Sequence, residues 1–134
     1  MNFKKYCFTF TTYNEAIEIL KISKRVNIIP IFFFKYKLID GLGIDWLMET
    51  KEMLKGKINN KKIEFYVDVK KNYGIFLNLV EKKINYIKVK ADINMIKKLN
   101  EIAKLNKVLI NPKFSILDIS NSKKQIARFK KNLK

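Results

Sequence analysis

The hydrophobic period of this chain switches repeatedly between two, the repeat of a strand, and about 3.6, the repeat of a helix. Strand-like runs and helix-like runs follow one another in five successive βα units. A helix returning the chain across a sheet sets the next strand parallel to the last. The alternation therefore predicts an α/β fold of about five mostly parallel strands. With 134 residues and 48% apolar side chains, the chain suffices for a single α/β domain spanning 1–134.

Tyr6 to Thr11 reads as the first strand, followed by Thr12-Tyr13-Asn14-Glu15, a capping box with Thr12 as N-cap and Glu15 reaching back to it. Tyr13, Ala16, Ile17 and Leu20 mark the buried face of the first helix. Asn27 to Phe34 is an apolar second strand, and a loop containing Asp40-Gly41-Leu42-Gly43 leads to a helix with Trp46, Leu47, Met53 and Leu54 inside and Gly56 as its C-cap. Asn59-Asn60 turns the chain into a third strand, Ile63 to Val69. Asn72 caps a third helix, Tyr86 to Lys90 forms the fourth strand, and Asp92 caps a helix with Ile93, Ile96, Leu99, Ile102 and Ala103 on one face. Val108 to Ile110 is the fifth strand, Ile116 to Ile119 adds a short extra one, and a last helix begins near Asn121.

Two strand orders suit this pattern. A flavodoxin-like order places strands one, three and four in the centre, where both faces are apolar. An open half-barrel of consecutive βα units leaves one polar face, and strands three and four do alternate. Ile63, Phe65, Val67 and Val69 oppose Glu64, Tyr66, Asp68 and Lys70, while Ile87, Val89 and Ala91 oppose Tyr86, Lys88 and Lys90.

Composition excludes several chemistries. With no His and one Cys, no histidine triad, Cys/His zinc cluster or internal disulfide is available, and neither a metal site nor a cofactor is expected. Cys7, between Tyr6 and Phe8, is expected to be a small buried hydrophobe. Tyr6, Phe8 and Phe10 alternate as in RNA-stacking sheets, but the segment lacks that motif's glycine, and core packing is the expected role. The apolar run Ile28 to Phe34 contains Pro30 and is too short to span a membrane. No secretory signal is recognisable, so a cytoplasmic protein is expected.

The chain carries 29 basic and 12 acidic residues, a balance that ordinarily indicates nucleic acid or an anionic surface. However, 27 of the 29 are Lys, and Lys, Asn, Ile, Phe and Tyr make up 77 of the 134 residues. These are the amino acids of A/T-rich codons. Arg, the residue best shaped for phosphate, occurs only at Arg25 and Arg128, which discounts nucleic acid as the partner. The charge is uneven: residues 1–67 hold 12 basic and 7 acidic groups, residues 68–134 hold 17 and 5. Lys123, Lys124, Arg128, Lys130, Lys131 and Lys134 suit a last helix packed on the sheet with its lysines in solvent, ahead of one lying on anionic lipid or RNA.

In sheets of βα units, ligands bind beyond the C-terminal ends of the strands, where helix N-termini present N–H groups. Gly41 and Gly43 would let backbone approach an anion there, or simply make a turn; the third glycine of a dinucleotide fingerprint is missing. Asp68 ends strand three, and Lys90 ends strand four. If those strands are parallel neighbours, their polar faces bring carboxylates beside lysines, either as ordinary surface pairs or as a site. A phosphoacceptor role for Asp68 is excluded by the lack of an acidic pair after strand one.

Gly41, Gly43, Trp46, Asp68 and Gly74 carry a resemblance to a family of small uncharacterised bacterial α/β proteins, in which strand three ends in Asp-Cys-Gly-Asp-x-Pro-Gly. Here Val69-Lys70-Lys71 stands in place of Cys-Gly-Asp and Tyr73 in place of Pro. The likeness covers about a third of the chain and brings no activity with it. The leading expectation is a binding or interaction module for an anionic small molecule or a protein partner, with Gly41, Gly43, Asp68, Asn72, Gly74 and Lys90 as candidate binding residues. The alternative is a small lyase or isomerase with Asp68 as base and Lys90 as anion clamp. Non-specific nucleic-acid binding through the basic C-terminal half is third. Oligomeric state is left open.

Overall fold

The computed structural model describes residues 4–57 and 63–117. In chain order the elements are β1 (Lys5–Thr9), α1 (Tyr13–Val26), β2 (Ile29–Phe34), α2 (Tyr36–Lys57), β3 (Glu64–Lys70), α3 (Tyr73–Glu81), β4 (Tyr86–Val89), α4 (Ile93–Leu105), β5 (Leu109–Ile110) and β6 (Ile116–Leu117). The six strands form one all-parallel sheet in the order β5-β4-β3-β2-β1-β6. The fold is thus α/β, with the short extra strand present as β6 over Ile116–Leu117. From β1 to β5 each strand lies beside the next in sequence, the winding expected of the half-barrel. The Asn59-Asn60 turn and the last helix with its basic residues lie outside the described residues. None of the described helices is long and apolar enough to cross a membrane.

Consecutive crossovers of the same hand, right-handed as a rule, put successive helices on one side of a parallel sheet. One core cluster accordingly joins Phe8, Phe32, Phe34, Phe65, Val67 and Ile87 from the strands to Leu20, Leu47, Phe76 and Leu99 from the four helices. Phe34 lies 4.7 Å from both Phe10 and Phe65, ring centroid to ring centroid. The opposite face carries a second cluster, Cys7, Ile31, Phe33, Tyr66 and Tyr86, against which Phe114 packs. Pro30, which has no N–H to give a neighbour, stands one residue before the β2–β3 ladder opens at Ile31 and Glu64.

Local signals set most helix starts. Thr12, Asn72 and Asp92 cap α1, α3 and α4, accepting from the backbone N–H of Glu15, Ile75 and Met95. The second half of the capping box is different: the Glu15 carboxylate accepts the Thr11 hydroxyl. Helix α2 departs furthest from expectation. The segment Lys37 to Gly43, expected as a loop, is helical from Tyr36, and the chain kinks at Gly43 (φ 88, ψ 167) before the helix resumes. Burial explains this, since Ile39 in the first part and Leu47 and Leu54 in the second all enter the core. Gly56 lies within α2 and does not cap it. Ile93, expected on the inner face of α4, is 73% exposed because it opens the helix beyond the packed stripe of Leu99 and Ala103.

Crossing from β5 to β6 requires the chain to pass from one edge of the sheet to the other. Across a flat six-stranded sheet that distance is about 24 Å, whereas the six residues from Ile110 to Ile116 reach at most about 21 Å. The sheet is therefore curled, and the segment runs as a chord across its helix-free face. Phe114 marks its path, with its ring 4.9 Å from Tyr86 and 6.2 Å from Tyr66.

Candidate functional site

The C-terminal end of β3 is shaped by its own residues. The pairing of β3 with β4 shifts between Asp68 and Lys70, and the Asp68 carboxylate accepts the Lys70 backbone N–H at 2.9 Å. Lys70 takes a left-handed conformation (φ 49), which an Asx-type bond to the residue two positions earlier supports. The Lys70 carbonyl then accepts the Lys90 N–H at 2.9 Å, and the Lys90 carbonyl accepts the Tyr73 hydroxyl at 3.0 Å. The ends of β3 and β4 are tied together through the backbone, leaving the lysine side chains outside the network.

At the end of β5, Asn111 is also left-handed (φ 49), and its side-chain carbonyl accepts the Val89 N–H at 2.8 Å. From there the chord passes over the sheet. Between chord and strand ends lies a cleft of about 1060 Å³. Its charged lining is Lys70, Lys71, Lys88 and Lys90 around Asp68, and its apolar lining includes Tyr66, Ile96, Pro112, Phe114 and Ile116. The ammonium of Lys88 sits 6.0 Å from the Phe33 ring centroid and that of Lys70 5.8 Å from the Tyr36 ring, within cation–π range.

The expected meeting of polar faces is realised: β3 and β4 are parallel neighbours, with Asp68 opposite Lys88. The lysine beside Asp68 in the ladder is therefore Lys88, while Lys90 lies beyond the end of β4. Asp68 and Lys90 both line the cleft. The other four candidates do not. Asn72 is occupied by Ile75 N–H and by the Tyr36 hydroxyl at 3.3 Å, and Gly74 lies in the first turn of α3, where an added Cβ would meet only Asn72 Oδ1 at 3.6 Å. Gly41 and Gly43 belong to α2, and an added Cβ at either meets nothing within 4 Å, so neither makes a close backbone approach. Lys70, Lys71, Lys88, Tyr66 and Phe114 also line the cleft, and the chord that completes it has no local sequence signal.

Desolvation sets the electrostatics beneath the cleft. Burial, aided by the charge of Asp68, pushes the Tyr66 phenol up to about 12, and burial pushes the Cys7 thiol up to about 12. Both are neutral near pH 7. Lower on the same face, Lys5, Glu64 and Tyr86 satisfy one another. Lys5 Nζ lies 3.0 Å from Glu64 Oε1, Tyr86 donates to that oxygen at 2.8 Å, and Lys5 donates to the Tyr86 oxygen at 2.9 Å. The hydrogen bond to Tyr86, followed by the contact with Glu64, raises the Lys5 pKa against the opposing effect of burial. This is the only ion pair among the described residues, so the four cleft lysines are unpaired there. Among those residues no three His, Cys, Asp or Glu side chains come together as metal ligands.

Compared with protein-family models the chain finds no match, and no curated protein matches it.

Proposed function

We propose that this chain is a cytoplasmic binding module that holds an anionic small molecule in the cleft at the C-terminal ends of β3 and β4. The observation that carries the reading is the charge imbalance there: among the described residues, four lysines without an ion-pair partner surround one carboxylate. Ammonium groups gathered in one cleft repel each other, and a bound anion relieves that repulsion. Asp68 adds to the shape of the site, since its carboxylate already holds the Lys70 N–H.

Binding is favoured over catalysis by the lack of a proton relay. Among the described residues Asp68 is the only carboxylate lining the cleft, and the nearby Tyr66 phenol retains its proton to about pH 12. Titrating ¹⁵N-labelled protein with pyrophosphate at low salt is expected to give saturable shifts at Lys70, Lys71, Lys88 and Lys90. Each charged hydrogen bond contributes about 1.5–3 kcal/mol, so the double substitution Lys88→Ala with Lys90→Ala should weaken binding by at least about tenfold. No saturable change in the millimolar range, or one that the double variant leaves intact, would overturn the reading. Nucleic-acid binding would appear differently, as affinity for single-stranded DNA that collapses with salt and is indifferent to the double variant.

A further inference from the structure

Charged and apolar residues of the cleft lie at different depths along the strands. The lysines stand at the rim: Lys88 is next to last in β4, Lys70 is last in β3, and Lys71 and Lys90 lie just beyond the strands. Tyr66 lies two residues below Asp68 in β3 and pairs with Tyr86. Phe114 packs edge-to-face on both, at interplanar angles of 71° to Tyr66 and 82° to Tyr86. Ile116 is deeper still, in register with Cys7, and Cys7 with Ile31 and Ile31 with Glu64. Positive charge therefore gathers at the mouth, beside Val89, Ala91 and Pro112, while the aromatic rings and Ile116 lie deeper.

We infer that the ligand is an organic anion carrying an aromatic group, its phosphate or carboxylate held by the rim lysines and its ring seated against Phe114, Tyr66 and Ile116. This deepens the anion-binding reading and rests on it. The volume supports it, because a cleft of about 1060 Å³ far exceeds what a bare inorganic anion fills and matches the size of sites for larger organic ligands. The phenol of Tyr66 has no hydrogen-bond partner among the described residues, and it borders the cleft. Phe114 is half-buried and Ile116 is 37% exposed, so an aryl group can reach both, edge-to-face on the Phe114 ring.

The test compares inorganic phosphate, methyl phosphate and phenyl phosphate on the unaltered protein by calorimetry, with ring-proton chemical shifts of Phe114 and Tyr66 followed by NMR. Phenyl phosphate is expected to bind at least about tenfold more tightly than the other two, a gain matching burial of one aromatic ring, and to shift the Phe114 and Tyr66 ring signals. In Phe114→Leu, with folding checked by its thermal melt, the preference for phenyl phosphate over inorganic phosphate should shrink. Equal affinity for all three anions, or a phenyl preference that leaves the two rings unshifted, would overturn the inference and spare the anion-binding reading. Failure of every anion to bind would overturn both.

Discussion

Gly43 and Gly41 stand two positions apart in α2, yet only one of them needs to be glycine. The backbone of Gly43, at φ 88 and ψ 167, occupies a region that side chains exclude at a cost of about 1–3 kcal/mol. Gly41 has ordinary helical backbone, where glycine is about 1 kcal/mol worse than alanine. Gly43→Ala is thus expected to lower stability to urea by about 1–3 kcal/mol, and Gly41→Ala to be neutral or to raise it by up to about 1 kcal/mol. Similar losses from the two variants would refute this account. In the sequence, glycines spaced in this way read as a turn poised for an anion, because the residue types say nothing about which of them carries a positive φ. Asp68 was legible, since strand alternation fixes the face on which it lies. Lys88, not Lys90, stands opposite Asp68 because the ladder pairs Tyr66 with Tyr86 and Val67 with Ile87, and the register between two strands leaves no mark on the hydrophobic period of either.

Elements that depend on neighbours in sequence were the most readable. The caps of α1, α3 and α4 stand where side-chain chemistry predicted them, and β3 and β4 present the two faces their alternation implied. By contrast, the start of α2 is decided by Ile39 reaching the core, a tertiary gain that outweighs the local turn signal. Chord and cleft depend on β5 and β6 lying at opposite edges, which no window of sequence records. Asn111 begins that chord and serves two purposes there, taking a left-handed backbone and accepting the Val89 N–H. Asn111→Ala loses both and is expected to cost about 1–2 kcal/mol in chemical denaturation. Asn111→Asp keeps an acceptor and a tolerated backbone, and should cost less than half as much. Amide exchange at Val89 should quicken in the Ala variant and hardly change in the Asp variant; equal quickening in both would show that the side-chain bond is unimportant.

For the molecule as a whole, the weakly acidic groups under the cleft tie stability to alkaline pH. Cys7 rises from 9.0 to about 12 and Tyr66 from 10.0 to about 12 on folding. Between the unfolded and folded values the folded chain binds more protons, so stability is complete below about pH 9 and declines as pH rises toward 12. The raised Lys5 acts in the same direction, holding its stabilising proton to higher pH when folded. The thermal midpoint is expected to hold steady from pH 7 to 8.5 and fall beyond pH 9, with a gentler fall in Cys7→Ala. A midpoint that stays level to pH 11, or an identical slope in the variant, would contradict the burial of these groups. The edge-to-edge path of the chord also bears on how the chain is made. Among the described strands β1 leaves the ribosome first, but its outer neighbour β6, which pairs Ile116 with Cys7, is translated last. Throughout synthesis β1 therefore has one unpaired flank, as open to a foreign strand as to its own. The nascent chain must keep that flank available until β6 arrives, so a pause in translation after β5 should leave a species prone to sticking to its copies.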